Sequence, residues 1–466
     1  MKKLPKFLRI MIWTVLALGG LIFLAWNIEN WRGGRVWAET QDRLERNEIP
    51  LSHAKLVREP IPDADNFWMT PLLAGAELME NEDVRERIEQ IQIELFADVD
   101  RKRLRASWPE VSSAKRADLS MWRERFDGDA QAVADGLDGL FGAEFQELAE
   151  ASERSGARLN SDWAEAEYRD VAALAAIEFP HYKVAMTLGK ALTLRALVAL
   201  EAGDSEGAVD WIRAQNRLAE AVSGDPSLLG HLVMVVLREQ AHGVVWEGLA
   251  RQAWSREQLL ELKSELQRID SIENFAWNIQ GELIFQISAM EFLQNASRGE
   301  LKSFSDPLEA GGLGYTRWTP AGWIEQNKVF CVNWMLDGVI LPARDRAWKA
   351  LAAGAKIPVN RRHPYRSFAM MVIPAVDKVS EKAAFEFMTT QLGLAACEAE
   401  LHRLEHGSYP DSLPAGYEDF DGKPLRYRLV KDGRPRIYSI GWNFADDGGD
   451  AGSKDDLRQG DWVWKY

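Results

Sequence analysis

The sequence predicts a mainly α-helical protein with an N-terminal transmembrane helix, a helical body arranged as a bundle or an irregular α-solenoid, and a small C-terminal α+β module. Three observations carry this prediction. An uncharged apolar run occupies residues 10–26. Across residues 161–298, apolar side chains recur three and four positions apart, the spacing of an amphipathic helix. The end of the chain instead combines a long helical pattern with two short strand patterns and a loop rich in Asp and Gly.

The apolar run from Ile10 to Trp26 is about 17 residues long, close to the lower limit for a helix that crosses a bilayer. The residues before it include no acid and four basic side chains, Lys2, Lys3, Lys6 and Arg9. By the positive-inside rule, this arrangement keeps the N-terminus cytoplasmic and the body extracytoplasmic. A cleaved signal peptide has similar regions, but the Ala-Trp-Asn-Ile-Glu that follows the run is a poor cleavage site. We therefore expect an uncleaved single-pass anchor within residues 1–31.

Composition indicates a folded, acidic chain. Of its 466 residues, 46% are hydrophobic and 27% are charged, which is ordinary for a globular protein. The net charge is −15, and because the first 28 residues contribute four positive charges, the rest carries −19. Phosphate backbones would repel such a body, so we expect no nucleic-acid partner. The nineteen Trp residues are expected mainly to supply buried area.

Proline and glycine divide the remaining chain. A charged helix from Arg32 to Ile49 is expected to leave the membrane and to end at the prolines that follow it, Pro50, Pro60 and Pro62. We expect a membrane-proximal helix and Pro-rich extension over 32–73, a helical body over 74–302, a loop-rich and helical connector over 303–377, and the C-terminal module over 378–466. Within them, the basic run at 101–105 is interpreted as a solvated helix face. The glycine cluster at 311–314 is interpreted as a linker, because no Lys-Ser/Thr follows it.

Local signals in the body mark helix boundaries. Ser255 to Gln258 fits a capping box that opens a helix. The segment at 199–226 resembles a tetratricopeptide hairpin, with Gly203-Asp204 as the turn and Ala208 at the helix crossing. Only one such unit is recognisable, whereas a solenoid needs about three. An irregular helical bundle therefore stays open as the alternative.

The chain contains two cysteines, Cys331 and Cys397. In an oxidising compartment they could pair, although nothing local in the sequence argues for contact between them. The sequence favours free, buried thiols.

The last ninety or so residues follow a recognisable order. A helix from about Val376 to His406 ends at Gly407, and a Tyr-Pro turn follows it. Strands are predicted from Lys423 to Val430 and from Arg436 to Ile440, with a turn at Arg434-Pro435 between them. The acidic loop and the aromatic C-terminus come last. This order resembles the C-terminal half of the major pseudopilins of type II secretion. The membrane-proximal segment, with its charged helix, Pro-rich extension, Asn66-Phe67 and Pro71-Leu72-Leu73, resembles the corresponding part of uncharacterised membrane-anchored bacterial proteins, which also tend to end in such a tail.

In pseudopilins the comparable loop binds calcium, so the resemblance implies a calcium site here. The corresponding residues are Asn443, Asp446, Asp447, Asp450 and Asp461. Oxygen ligands on a flexible loop suit calcium, and a cation would relieve the repulsion among the carboxylates. A solvated acidic loop without metal is the alternative. Asn443 stands where the family often has Asp, and the membrane helix lies at the far end of this chain rather than next to the module, so polymerisation through that helix is not expected.

A second motif, His402-Arg403-Leu404-Glu405-His406, matches the inverted zincin pattern H-x-x-E-H. Two His side chains one helical turn apart could bind zinc, with Glu405 as the general base. The helix ends at once after the motif, and few residues remain to supply a third ligand. The motif is therefore interpreted as the polar end of the pseudopilin-like helix, with a zinc hydrolase as a remote alternative.

Together these patterns predict a scaffold or protein-binding protein of the bacterial cell envelope, anchored in the inner membrane with a periplasmic body. We expect a protein partner in the envelope and no catalysis. The alternative is an accessory component of a type II secretion or type IV pilus-like machine.

Overall fold

A single helix of 41 residues, α1 (Lys6–Arg46), opens the computed structural model. The structure describes residues 5–56, 58–74, 82–97, 99, 103–104, 107–159, 180–295, 297, 319–356, 363–372, 375–452 and 456–466. The predicted anchor and the predicted membrane-proximal helix are therefore one continuous element. An 18-residue window of α1 has a mean hydropathy of 2.2, and none of that window is buried in the protein. Among the described residues, α1 is the one helix long and apolar enough to cross a membrane.

The Pro-rich extension and three helices follow α1. Two short 3-10 turns, His53–Lys55 and Asp63–Asp65, precede α2 (Glu82–Phe96), α3 (Ser120–Arg125) and α4 (Ala130–Ser152). The side chain of Asp129 caps α4 by accepting from the backbone N–H of Ala132 at 3.1 Å. Part of the basic run at 101–105 and the whole glycine cluster at 311–314 lie outside the described residues.

Five helices form the centre of the body: α5 (Pro180–Ala202), α6 (Ser205–Ser223), α7 (Leu228–Arg251), α8 (Arg256–Gln267) and α9 (Ser271–Asn295). The predicted capping box at Ser255 is present. The turn between α5 and α6 lies at Gly203, whose φ of +86° favours glycine, and Asp204 caps α6. Ala208 is fully buried. The hairpin is thus confirmed as a pair of helices, whereas its tetratricopeptide character stays a prediction.

The connector contains α10 (Ala321–Met335), a π-helical turn at Leu336–Ile340, α11 (Leu341–Arg344), α12 (Trp348–Gly354) and α13 (Ala369–Val372). Helix α10 packs along the C-terminal half of α1. The π-helical turn packs against α12, where Gly338 and Gly354 lie so close that neither has room for a Cβ atom. The two small residues therefore set the approach of α12.

The C-terminal part begins with α14 (Val376–His406), whose end at Gly407 confirms the predicted boundary: Gly407 has a φ of +80°. A three-stranded antiparallel sheet follows, in the order β1 (Arg426–Leu429), β2 (Pro435–Ser439) and β3 (Trp462–Trp464). Pro435 lies in β2 rather than in the turn, and the third strand was not predicted. Its pairing with β2 joins Ile437 to Trp464 across the acidic loop.

The C-terminal part shares its core with the helical body. Helix α14 packs against α7, α8 and α9 on one side and against β2 and β3 on the other. The indole N–H of Trp246, on α7, donates to the backbone oxygen of Lys465 at 2.8 Å. Trp464 is completely buried and lies in contact distance of Gly393 on α14. The sheet is therefore held in place by helices that belong to the middle of the chain.

Both cysteines are buried free thiols in the described chain, the state that the sequence favoured. Burial raises the pKa of the Cys397 thiol to about 12. A thiol that stays protonated at neutral pH is a poor nucleophile and a poor metal ligand.

Candidate functional site

The acidic loop connects β2 to β3 and contains all five residues of the predicted calcium site. It is described over residues 441–452 and 456–461; residues 453–455 lie outside the description. Gly441, Gly448 and Gly449 adopt positive φ angles that fold the loop back toward the sheet. Along the chain, the first predicted ligand, Asn443, follows β2 closely, and the last, Asp461, directly precedes β3.

Asp461 organises this loop through backbone hydrogen bonds. Its side chain is buried, and its two carboxylate oxygens accept from the backbone N–H groups of Asp447 at 3.1 Å and Gly449 at 2.5 Å. Its own N–H donates to the backbone oxygen of Asp450 at 2.9 Å. Burial raises the pKa of Asp461, while the two backbone donors oppose the shift and the nearby carboxylates of Asp446 and Asp447 add to it. The carboxylate thus joins the backbone at Asp447 and Gly449.

Three of the other four side chains form hydrogen bonds within the loop, and the fourth faces solvent. The Asn443 amide donates to Asp447 Oδ2 at 2.9 Å and accepts from the N–H of Ala445 at 3.0 Å. Asp446 accepts from the N–H of Gly448 at 2.9 Å. The side chain of Asp450 is exposed. The structure therefore brings the five residues into one loop but engages four of their side chains with protein donors.

In the described part of the chain, no group of three or more His, Cys, Asp or Glu side chains is placed to hold a metal ion. Calcium would have to replace hydrogen bonds that Asp461, Asn443, Asp446 and Asp447 already make. The donor chemistry suits calcium, since all these groups offer hard oxygens. The calcium site stays a prediction.

The H-x-x-E-H motif lies at the end of α14, with His402 half-buried and Glu405 and His406 exposed. The rings of His402 and His406 stack with centroids 4.1 Å apart. Each Nδ1 faces a backbone oxygen, that of Ser408 for His402 at 2.9 Å and that of His402 for His406 at 3.1 Å. Glu405 forms an ion pair with Arg256 at 3.2 Å, so it points to α8 rather than toward the two imidazoles. This geometry provides no base beside a shared metal position.

A groove next to the acidic loop was not indicated by the sequence. It is a cavity of about 250 Å³ between α12 and the loop, lined by Lys349, Ala352, Ala353, Lys356, Trp442, Phe444 and Arg458. Its lining residues come from three segments that together span more than a hundred positions, and none forms a local motif. The only signal in the sequence is the pair Lys349 and Lys356, seven positions apart with Ala352 and Ala353 between them.

A second unpredicted feature is the interface between α1 and α10. A Cβ atom on Gly33 would lie 2.4 Å from Gly322, and one on Gly322 would lie 1.9 Å from the backbone oxygen of Glu29. The ammonium of Lys328 sits 4.3 Å from the centroid of the Trp37 ring, a cation–π contact inside the protein. The two helices therefore touch backbone to backbone, at positions where only glycine fits.

Polar contacts extend this interface along α1. The N–H of Gly322 donates to Asn30 Oδ1 at 3.0 Å, and the Tyr365 hydroxyl donates to Glu29 at 2.7 Å. Further along α1, Arg43 donates to Asn333 at 2.8 Å and pairs with Asp337. The contacts start three residues after Trp26 and continue to the last turn of α1.

Comparison of the chain with family models, with curated protein sequences and with solved structures finds no match. The resemblance of the C-terminal part to pseudopilins accordingly stays a prediction. Over the residues that the structure describes, the protein is mainly helical, with one long apolar helix near the N-terminus and a small three-stranded sheet.

Proposed function

We propose that the protein is a single-pass membrane protein that presents its helical body outside the cytoplasm as a binding scaffold for another envelope protein. The observation that carries this proposal is the continuity of α1 from the apolar segment into the body. A flexible tether needs only a short linker after the membrane helix. Here the 20 residues of α1 beyond the apolar run, 27–46, stay helical, and this part of α1 packs on α10.

The α1–α10 interface also favours an uncleaved anchor over a signal peptide. Glu29 and Asn30 make contacts to the body immediately after the apolar run. A signal peptidase would need this stretch to be extended and accessible. The helix and its contacts oppose both requirements.

Membrane attachment and orientation can be tested on the full chain in a bacterial host. We expect the protein to remain in the membrane after alkaline carbonate extraction. We expect the body to resist protease in intact cells and to be degraded once the outer membrane is opened. Release of a shortened, soluble chain would contradict the anchor, and protection in opened cells would contradict the orientation.

Partner binding can be tested by photo-crosslinking from single positions. Four exposed apolar side chains lie on separate faces or helices of the body: Ile93, Leu140, Leu229 and Leu260. A photoreactive residue at each position should give one specific adduct at some positions and none at the others, which serve as matched controls. Adducts at no position, with the chain present in the membrane, would contradict a scaffold role.

Calcium is proposed as a ligand of the acidic loop on the strength of the pseudopilin-like order of helix, strands and loop. The same order supports the alternative of an accessory component of a secretion or pilus-like machine. Specific crosslinks to a pilin-like or pseudopilin-like protein would favour this alternative over a general scaffold.

A further inference from the structure

We propose that the groove between α12 and the acidic loop binds an acidic segment of the partner protein, with one apolar side chain of that segment inserted against Trp442 and Phe444. The proposal rests on the proposed function, because it names the surface by which the body would hold its partner. It concerns a site outside the predicted calcium ligands.

The groove has the size and lining of a pocket for one side chain. Its volume is about 250 Å³, and its two alanines, Ala352 and Ala353, leave the space between the lysines open. Trp442 is mostly buried, and the Phe444 ring lies 5.5 Å from it, so the two aromatic rings form one apolar wall. Aromatic pockets with few polar groups at the rim are typical of anchor sites for a partner's side chain.

The rim of the groove is cationic in a protein with a net charge of −15. Lys349 and Lys356 are exposed, and neither forms an ion pair with a residue that the structure describes. The ammonium of Lys349 lies 5.9 Å from the centroid of the Phe444 ring. Arg458 is fixed at the other side by Glu381 at 2.6 Å and by Asp377 at 3.4 Å. Unpaired cations beside an apolar pocket select a ligand that combines carboxylates with an apolar side chain.

Phe444 adopts a backbone conformation that this residue type avoids. Its φ is +57°, in the left-handed region, where a bulky side chain is strained. The hydrogen bonds of Asn443 to Ala445 and to Asp447 hold the turn on either side of it. Strain of this kind is retained where the side chain has a task, and here it places the ring at the wall of the groove.

The position of the groove favours a protein over a lipid headgroup. Arg43 contacts Asp337, the π-helical turn that contains Asp337 packs on α12, and α12 lines the groove. From Trp26 to Arg43 the helix rises roughly 25 Å. The headgroup layer is only about 5–8 Å deep. These contacts connect the groove to a part of α1 well beyond the headgroup layer, which favours a protein ligand over a lipid of that bilayer.

The test uses the full chain in detergent micelles and fluorescence anisotropy of a labelled peptide, Glu-Glu-Phe-Glu-Glu. Two peptides serve as comparison: one with Gly in place of Phe and one with Lys in place of Glu. We expect saturable binding of the first peptide and binding at least roughly tenfold weaker for the other two. The Gly peptide lacks the apolar side chain for the pocket, and the Lys peptide lacks the carboxylates for the cationic rim. Absence of saturable binding, or equal binding of all three, overturns the proposal.

Variants locate the site. Lys349→Glu should weaken binding of the acidic peptide by roughly tenfold, because it reverses a charge at the rim. Phe444→Gly should weaken it as well without unfolding the loop, because glycine tolerates the positive φ. Lys382→Glu, an exposed lysine on α14 outside the groove, is the matched control and should bind as the wild type does. Equal affinity of all three variants overturns the proposal.

Two further outcomes separate this inference from the proposed function. Binding of phosphatidylglycerol vesicles in competition with the acidic peptide would assign the groove to lipid and overturn the peptide proposal. Position-specific crosslinks on the body combined with no peptide binding would leave the scaffold role standing and remove the groove from it.

Discussion

The guanidinium of Arg238 donates from Nε to Oε1 of Glu386 at 2.9 Å, and both side chains are buried. The pair joins α7 in the middle of the chain to α14. Arg238 also donates to the backbone oxygen of Leu266 at 2.7 Å and to the hydroxyl of Thr390 at 3.1 Å. Burial alone would raise the pKa of Glu386, but the opposing effects of Arg238 and the neighbouring His242 are larger, so the net shift of the pKa is downward. The carboxylate is therefore charged inside the protein.

Breaking this pair should destabilise the whole protein. Glu386→Leu leaves the Arg238 charge buried without its partner, so we expect the free energy of unfolding to fall by about 3–5 kcal/mol. The double variant Arg238→Met/Glu386→Leu removes both charges and should lose less than the single variant. Urea unfolding followed by Trp fluorescence measures both. A double variant that is worse than the single one would contradict this account of the pair.

His242 should make stability depend on pH. Burial, followed by the charge of Arg238, lowers the pKa of His242 to about 4. The unfolded chain binds a proton near pH 6.5, whereas the folded chain does not until pH 4. The contribution of His242 to the free energy of unfolding is therefore complete above pH 6.5. It is lost as the pH falls toward 4, at about 1.4 kcal/mol per pH unit.

The measurement compares urea unfolding of the wild type and of His242→Gln between pH 8 and pH 4. Glutamine can still bond to Thr390 but does not titrate, so the difference between the two curves isolates His242 from the other titrating groups. We expect the wild type to lose more stability than the variant below pH 6.5. Parallel curves over the whole range would show that His242 does not carry the effect.

The glycine contact between α1 and α10 should tolerate no side chain. In Gly322→Ala the new Cβ would overlap the backbone oxygen of Glu29, so we expect a loss of about 1–3 kcal/mol and faster proteolysis between the two helices. Gly34→Ala is the matched control, because a Cβ there meets nothing within 4 Å. Limited trypsin digestion and thermal unfolding report both changes. Equal behaviour of the two variants would mean that the helices do not pack at Gly322.

Asp461→Ala should loosen the acidic loop whether or not calcium binds. It leaves the N–H groups of Asp447 and Gly449 without their acceptors, at a cost of about 1–3 kcal/mol for the buried N–H of Gly449 and less for the exposed Asp447. Thermal unfolding of the EDTA-stripped full chain measures this. Asp411→Ala, an exposed position outside the loop, is the control. An unchanged melting temperature in Asp461→Ala would contradict the structural role.

The calcium proposal is decided by calorimetric titration of the same stripped chain. We expect saturable binding that Asp447→Ala and Asp461→Ala abolish and that Asp411→Ala preserves. The full chain is needed because α14 shares its core with α7, so a fragment starting at Lys378 would expose that surface. No heat of binding, with the loop folded, would leave Asp461 as a backbone acceptor alone.

Local signals in the sequence predicted local features of the fold. The capping box at Ser255, the helix end at Gly407 and the bounds of α14 depend on neighbours along the chain, and all three agree with the structure. The strand β3 depends on a partner more than twenty residues away, and its three residues alone carry no alternation. The Arg238–Glu386 pair joins positions 148 residues apart. Contacts between such distant positions cannot be predicted from local sequence patterns.

In the candidate sites, too, local features were predictable from the sequence and long-range contacts were not. The acidic loop is a contiguous segment, so its residues were predictable, but their bonds to the loop backbone follow from the positive φ angles around them. The groove is assembled from α12 and two parts of the loop. Gly322 is one glycine among 35, and only the approach of α1 distinguishes it.

If α1 spans a bilayer, as we propose, its continuity determines how the body responds to the thickness of that bilayer. A helix whose apolar length does not match the bilayer relieves the mismatch by tilting. The body contacts α1 from Glu29 to Arg43. A change in the tilt of α1 would therefore reorient the body together with the helix, because no flexible linker separates the two. Bilayer thickness would thereby set the direction in which the body leans over the membrane surface.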